Sequence, residues 1–429
     1  MVEKGEGYSV DLCIFRLAYD TLLPVTMQTL HQLPVNVPAA PSGASRVGSI
    51  PGYIYAVVFS SLCVVTGLLW DIMWHISIGR DGLFAPPHLV IYIGAIVAGL
   101  SSAYQILHLT LTRNHPGRAE AVPFWGVFYG PLGAMFCVWG ALAMLTSAPF
   151  DDWWHNTYGL DVQILTPPHT ILAIGIMTVQ FGAMVGVLAL QNRLAQTADT
   201  GTKRRLQALF ALSAALLLTT LFTLGSETLG RYYSHHSIYY TTAAIIFPIF
   251  LLAVGRASTL RWPVTTVALL YMLILGAPSW ILQFFPATPR LGPVLNPITS
   301  YQPFIFPLLL VIPGLVVDAL MHRFEKQAGL TDWQRAVLYA VPFMLVLLAV
   351  QWPFGEFLHT SPLARNGFFL SYSWKYDNPL DWPYRYAFSP RQLQAPAMFW
   401  SGFSKAIFYA GLSARVGLLW GNWMKRIVR

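Results

Sequence analysis

Long apolar stretches, each bounded by short polar segments, follow one another along most of the chain. A helix needs roughly 20 apolar residues to cross a bilayer, and several stretches reach that length. The predicted spans lie near 52–70, 87–107, 124–148, 168–192, 207–225, 239–257, 262–284, 303–320 and 336–352. A tenth stretch, 398–420, is a weaker candidate because it contains Lys405 and Arg415. The pattern predicts an all-α fold, a polytopic membrane protein with nine or ten transmembrane helices paired into out-facing hairpins.

The composition supports a membrane protein. Of the 429 residues, 55% are hydrophobic and only 10% are charged, whereas soluble domains average about 25% charged residues. The formal net charge of +8 is explained by basic residues that anchor the spans and contact anionic lipid, so it does not indicate a nucleic-acid partner. The three cysteines form no C-x-x-C pair, which argues against a disulfide framework or a thiolate site.

Basic residues are concentrated in alternate loops. The loops 108–123, 193–206, 256–262 and 321–335 carry eleven Lys or Arg residues, and the loops 71–86, 149–167, 226–238 and 285–303 carry three. Loops rich in Lys and Arg stay on the cytoplasmic side of the membrane. The loops at 71–86 and 149–167 are therefore predicted to face the outer side.

The chain divides into four predicted parts. Residues 1–51 read as a helix on the membrane surface followed by a linker rich in proline, serine and glycine. Residues 52–192 hold the first four spans and a repeated motif, and residues 193–352 hold further spans. Residues 353–429 combine a long outer segment rich in aromatic residues with the doubtful C-terminal helix. A loop of that length is typical of a small lid or a partner-binding surface.

The first two hairpins share a motif in the loop that joins their helices. Residues 70–88 read WDIMWHISIGRDGLFAPPH, and residues 151–169 read DDWWHNTYGLDVQILTPPH. With one gap, the identical pairs are Asp71/Asp151, Trp74/Trp154, His75/His155, Gly79/Gly159, Asp81/Asp161, Pro86/Pro167, Pro87/Pro168 and His88/His169. Helix initiation explains the prolines. It does not explain two histidines per unit at matched positions.

Each unit can bring one carboxylate and two imidazoles together. Asp71 and His75 are four residues apart, so they share one face of a helix, and the second unit repeats this spacing. The second histidine of each unit begins the next helix, which the hairpin folds back beside the first. Two histidines and a carboxylate form a ligand set with open positions that suits copper, iron or zinc. The predicted metal ligands and catalytic residues are Asp71, His75, His88, Asp151, His155 and His169.

Other residues of the motif are predicted to orient or cover the metal ligands. Asp81 and Asp161 each follow the first histidine by six residues, and such carboxylates commonly fix a ligand imidazole through its second N–H. Arg80, which directly precedes Asp81, is predicted to belong to the same supporting group. Trp74 and Trp154 could roof the sites, although tryptophan is enriched at membrane interfaces in any case.

The first unit, with Asp71, His75 and His88, resembles the C subunit of copper membrane monooxygenases, the family of particulate methane, ammonia and related hydrocarbon monooxygenases. That subunit carries an Asp-x3-His-x12-His cluster and, one hairpin later, an Asn-x3-His-x13-His cluster. Both histidine spacings match, whereas Asp151 stands where the family has asparagine. The resemblance covers about residues 52–192, and residues 207–429 match nothing in the family.

The resemblance implies membrane-embedded copper at one or both sites and the oxidation of small, poorly reactive molecules with dioxygen. It also implies A- and B-type partner subunits and residence in a bacterial or archaeal plasma membrane. Such chemistry needs a reductant, for which a quinol is the expected source, and the chain has no nicotinamide or flavin motif. The leading hypothesis is therefore a subunit of a copper-dependent monooxygenase that acts on a small hydrocarbon or an ammonia-like substrate.

Three other functions stay open at this point. A non-catalytic protein could store or deliver copper, but copper carriers prefer Cys and Met ligands, which do not cluster near the repeats. A haem protein could use His88 and His169 as axial ligands, but this leaves the Asp-x3-His spacing unexplained. A transporter could use Glu227, His235 and His236 in a proton or ion path, although an ordinary loop is the simpler interpretation.

Overall fold

The computed structural model describes residues 49–79, 82–159, 166–290, 292–370, 376 and 393–429. The chain is 73% helical with almost no strand, which confirms the all-α prediction. The predicted surface helix and linker at 1–51 lie almost wholly outside the described residues. The predicted supporting residues Arg80, Asp81 and Asp161 also lie outside them.

The secondary structure consists mainly of long helices. In chain order they are α1 (Gly52–Ser77), α2 (Pro86–Leu111), α3 (Leu132–Tyr158), α4 (Pro167–Arg193), α5 (Thr200–Leu224), the short α6 (Ser226–Leu229), α7 (Ser237–Ala257), α8 (Pro263–Leu282), α9 (Val311–Phe324), α10 (Asp332–Thr360) and α11 (Pro396–Met424). Between α2 and α3, β1 (Val122–Phe124) pairs with β2 (Phe128–Gly130) in an antiparallel hairpin. Single turns of 3₁₀ helix lie at Pro116–Arg118, Arg231–Tyr233 and Pro362–Ala364.

Eight of the described helices are long and apolar enough to cross a membrane, namely α1 to α5, α7, α8 and α10. The chain is therefore a polytopic integral membrane protein. α11, the tenth predicted stretch, is 29 residues long but is not among the eight. Lys405 and Arg415 lie within it and lower its hydropathy.

The predicted span at 303–320 differs from the structure in its first half. Residues 303–309 are not helical, and α9 begins only at Val311 and is 14 residues long. Pro303 and Pro307 explain the break, because proline has no N–H and clashes with the preceding helical turn. Side chains of neighbouring helices accept the backbone N–H groups that a helix would have used. These bonds join Gln302 to Ser77, Phe304 to Ser279, Leu308 to Tyr271 and Leu309 to Gln351.

The first four helices form two hairpins, α1–α2 and α3–α4, that pack side by side. Small residues let the helices of each hairpin approach closely, as in many membrane proteins. A Cβ atom on Gly140 of α3 would lie 2.7 Å from the carbonyl oxygen of Gly175 on α4. In the other hairpin, Ser60 Oγ of α1 donates a hydrogen bond of 2.6 Å to Gly94 O of α2. α1 and α3 end at the face of this unit where α2 and α4 begin. This face carries the two predicted sets of one aspartate and two histidines, so we call it the triad face.

The C-terminal helix α11 runs beside the membrane-spanning helix α7. Gly402 lies against Ser237 at the start of α7, and Gly417 lies against Ile249 further along it. Ser413 Oγ accepts the backbone N–H of Ile249 at 3.0 Å. The two helices are therefore parallel and at the same depth. Since α4 leaves the triad face and α5 returns to it, α7 and α11 both begin at the triad face.

The close contact between α3 and α4 predicts a strong effect of a larger residue there. In Gly140→Val the new side chain meets backbone atoms that cannot move aside, and overpacking of this kind costs about 1–3 kcal/mol. We expect a lower midpoint of thermal unfolding in detergent. Gly411→Val is the matched control, because a Cβ atom at Gly411 of α11 meets nothing within 4 Å. Equal midpoints for the two variants would contradict the proposed contact.

Candidate metal centre

Matched glycines end the helices that carry the first ligands. Gly79 follows α1 with φ of 94°, and Gly159 follows α3 with φ of 89°. This left-handed conformation terminates helices and is accessible to glycine without strain. The next helix of each hairpin starts with two prolines, which are favoured in a first helical turn. The local sequence thus turns the chain sharply enough to return a histidine beside the end of the previous helix.

The first triad consists of Asp71, His75 and His88. His75 Nε2 lies 3.8 Å from Asp71 Oδ2, and His88 Nε2 lies 3.3 Å from Asp71 Oδ1. The other ring nitrogen of His88, Nδ1, is 3.2 Å from the carbonyl oxygen of Gly82. A proton on Nδ1 satisfies that carbonyl and leaves the lone pair of Nε2 facing the carboxylate, which is the tautomer that binds a metal ion.

The second triad, Asp151, His155 and His169, repeats this arrangement. His155 Nε2 lies 3.6 Å from Asp151 Oδ2, and His169 Nε2 lies 3.3 Å from Asp151 Oδ1. His155 Nδ1 is 2.9 Å from the carbonyl oxygen of Gly159. One ligand atom from each of the three residues lies within 4.8 Å of the other two. Each hairpin therefore brings together the three side chains that the sequence predicts.

The separations in the second triad fit ligands that share one ion. Two ligands about 2.1 Å from the same ion at a tetrahedral angle lie roughly 3.4 Å apart, and its nitrogen-to-oxygen distances of 3.3 and 3.6 Å lie on either side of that value. Asp151 Oδ1 is buried without a hydrogen bond, although His169 Nε2 is 3.3 Å away. A buried carboxylate oxygen needs a charge or a donor to offset its desolvation. A cation between the three side chains would supply it.

Both triads line one cavity of about 80 Å³ at the triad face. Its remaining walls are mostly apolar, and the lining side chains include Leu68, Ile91, Tyr92, Met144, Asp152 and Leu172. The volume suffices for a few water molecules or one small substrate. Two ions bound here would therefore face the same small molecule. The sequence predicts each triad separately and contains no signal that the two hairpins place them around a common space.

The two tryptophans of the motif do not line this cavity in the described part of the chain. Trp74 is buried, and its ring centroid lies 6.5 Å from that of Tyr301. Trp154 packs against Phe150 and Tyr158. Both rings therefore pack against other aromatic side chains and not over the cavity.

The supporting groups that the structure reveals are backbone carbonyls. Gly82 and Gly159 hold the second ring nitrogens of His88 and His155. A backbone carbonyl can come from any residue type, so a sequence does not show which residue will accept the N–H of a histidine. The matched pair Gly79 and Gly159 is a partial signal, because Gly159 ends α3 and also provides one of the two carbonyls.

His235 of the third hairpin and His359 near the end of α10 are not among the residues that line the metal cavity. His235 is buried, its Nε2 lies 3.7 Å from Glu356 Oε2, and its ring packs edge-on against Trp352. His359 is also buried, and its Nε2 lies 2.8 Å from the carbonyl oxygen of Arg231. Among the described residues, only Asp151, His155 and His169 have three ligand atoms that all lie within 4.8 Å of one another. In the first triad both histidines lie close to Asp71, but the three ligand atoms are not all that close together.

Comparison with known proteins gives no relative. No protein-family model, no curated protein and no solved structure matches the chain. The interpretation of the site therefore depends on its own geometry and donor chemistry.

The paired triads predict metal binding by the purified protein. We expect up to two equivalents of Cu²⁺ to bind, and His169→Ala to weaken binding at the second triad at least roughly tenfold, because even partners of metal ligands contribute that much. Titration calorimetry and metal analysis after desalting measure this. His108→Ala is the control, since His108 lies in the last turn of α2, away from the triad face, and stacks on Tyr104. Equal copper content in both variants would exclude the triad as the site.

Proposed function

We propose that the chain is a subunit of a copper-dependent membrane monooxygenase that oxidises a small hydrocarbon or an ammonia-like substrate with dioxygen. The observation that carries this proposal is the pair of Asp/His/His triads on one small cavity. Three protein ligands leave coordination positions open for exogenous molecules. The resemblance of residues 52–192 to the C subunits of that enzyme family supports the same assignment.

The side chains of the cavity have separable tasks. Copper, when bound, supplies the redox chemistry with dioxygen. Asp71 and Asp151 each contribute one negative charge toward the ion, which the neutral imidazoles do not. The carbonyls of Gly82 and Gly159 can each accept an N–H from Nδ1 of His88 and His155, and in that tautomer the lone pair of Nε2 faces the ion. The apolar side chains of Leu68 and Ile91 limit the water that can enter and leave room for a small molecule.

The proposal includes the surroundings of the chain. The cavity opens toward the outer side of a bacterial or archaeal plasma membrane, as the distribution of basic loops suggests. A- and B-type subunits or their equivalents complete the enzyme, and a quinol or another reductant provides electrons. The asparagine of the family is replaced by Asp151, which adds one negative charge and favours a cation of higher charge at the second triad.

A second function is favoured by one specific observation. The side chain of His75 is 45% exposed, so a ligand of the first triad can be reached from the surface. That accessibility suits a membrane protein that exchanges copper with a neighbouring oxidase without performing the oxidation itself. The donor set argues against it, because no Met or Cys ligand takes part in either triad.

Oxygen uptake by the complex purified from its native membrane tests the proposal. With copper and a quinol present, we expect uptake that depends on a small hydrocarbon or on ammonia and falls to background in both His75→Ala and His155→Ala. His236→Ala is the control and should retain uptake. Copper binding without substrate-dependent uptake would favour copper exchange, and full uptake in the triad variants would contradict both functions.

A further inference from the structure

An apolar cleft of about 630 Å³ lies between α10 and α11, apart from the metal cavity. Pockets that enclose small ligands are about 300–1,000 Å³. The cleft is lined by Leu348, Ala349, Trp352, Pro353, Leu393, Gln394, Ala395, Pro396, Phe399 and Trp400. Gln394 is the only polar side chain among these residues, and its Oε1 accepts the backbone N–H of Ser237 at 2.9 Å. The cleft therefore suits an apolar occupant.

Aromatic side chains from α10 and α11 meet at the wall of the cleft. Trp352 of α10 meets Phe399 of α11 edge to face, with 4.8 Å between ring centroids, and on its other side it meets His235 at 4.4 Å. Gly402 and Gly417 bring α11 into close contact with α7. The cleft is present in the structure without a ligand.

The depth of the cleft corresponds to the upper part of a lipid leaflet. At 1.5 Å per residue, Trp352 lies about 12 Å and Glu356 about 6 Å from the end of α10 at Thr360. A helix of 29 residues is roughly as long as a whole bilayer is thick, with headgroup layers of about 5–7 Å on each side. With α10 centred across a bilayer, Glu356 would lie where headgroups meet hydrocarbon, and Trp352 and Ala349 of the cleft would lie in the hydrocarbon below it.

Glu356 gives the mouth of the cleft a negative charge. It lies one helical turn beyond Trp352, and its side chain is 52% exposed. In the described part of the chain, its ion-pair partner is His235, at 3.7 Å. Burial lowers the pKa of His235 below its usual range, so this imidazole is neutral near pH 7 and does not cancel the charge of the carboxylate. The mouth therefore favours a cationic group.

We propose that the cleft binds one phospholipid with an ammonium headgroup, whose acyl chain lies between α10 and α11 and whose ammonium pairs with Glu356. The apolar walls match the chain, and the carboxylate at the boundary matches the charge of the headgroup. An anionic lipid without an ammonium would place its phosphate against Glu356. The proposal is independent of the metal centre and of the proposed function.

Native mass spectrometry of the full-length, detergent-purified protein tests this inference without metal or turnover. The probes are phosphatidylethanolamine, phosphatidylglycerol and ubiquinone, titrated separately and in competition. We expect one phosphatidylethanolamine to bind most tightly, and Glu356→Gln to weaken its binding about tenfold while phosphatidylglycerol binding becomes no weaker, because the repulsion of its phosphate is removed. Equal binding of the two phospholipids to the unmodified protein, or displacement of phosphatidylethanolamine by ubiquinone, would overturn the proposal.

A pair of matched variants tests the location of the acyl chain. Ala349→Trp fills the cleft and should abolish the bound lipid. Ala397→Trp adds the same side chain at an exposed residue of α11 that does not line the cleft, and it should keep the lipid. Unfolding midpoints near that of the unmodified protein establish that both variants fold. Loss of lipid from both variants, or from neither, would contradict binding in the cleft.

Discussion

A carboxylate held between two imidazoles at the end of a membrane hairpin is the arrangement on which the rest of the structure depends. Asp71 and Asp151 are only 18% and 23% exposed, and an ionised side chain close to hydrocarbon is costly. The chain nevertheless has such an aspartate at two matched positions, one in each hairpin. In each case two imidazole nitrogens lie 3.3–3.8 Å from the carboxylate oxygens. The cation that we propose between the three groups would offset this cost.

The helices around the triads are built to hold this geometry. The ligands of each triad come from both arms of one hairpin, so they meet only if the arms stay close. Glycine contacts such as Gly140 against Gly175 bring the backbones of α3 and α4 together. Gly159 then ends α3, and its carbonyl oxygen lies 2.9 Å from Nδ1 of His155. Preorganised ligands of this kind need little rearrangement when an ion binds.

Much of the fold and the identity of both triads could be predicted from the sequence. Apolar stretches of bilayer length predict the helices, and the Asp-x3-His spacing predicts side chains on one helical face. The break before Val311 was missed because hydropathy does not register that Pro303 and Pro307 remove helical N–H groups. The shared cavity was missed because it depends on how the hairpins pack, through contacts between α2 and α3 and between α1 and α4. Neither hairpin encodes that contact in its own motif.

X-ray absorption of the copper-loaded protein tests the central claim most directly. The structure predicts a first shell of nitrogen and oxygen at about 2.0–2.2 Å, with the outer-ring scattering of two imidazoles per copper and no sulfur near 2.3 Å. The imidazole scattering should fall to at most one imidazole per copper in the double variant His88→Ala, His169→Ala, because His75 and His155 remain. A shell dominated by sulfur, or scattering of two imidazoles per copper that persists in the double variant, would show that copper binds elsewhere in the chain.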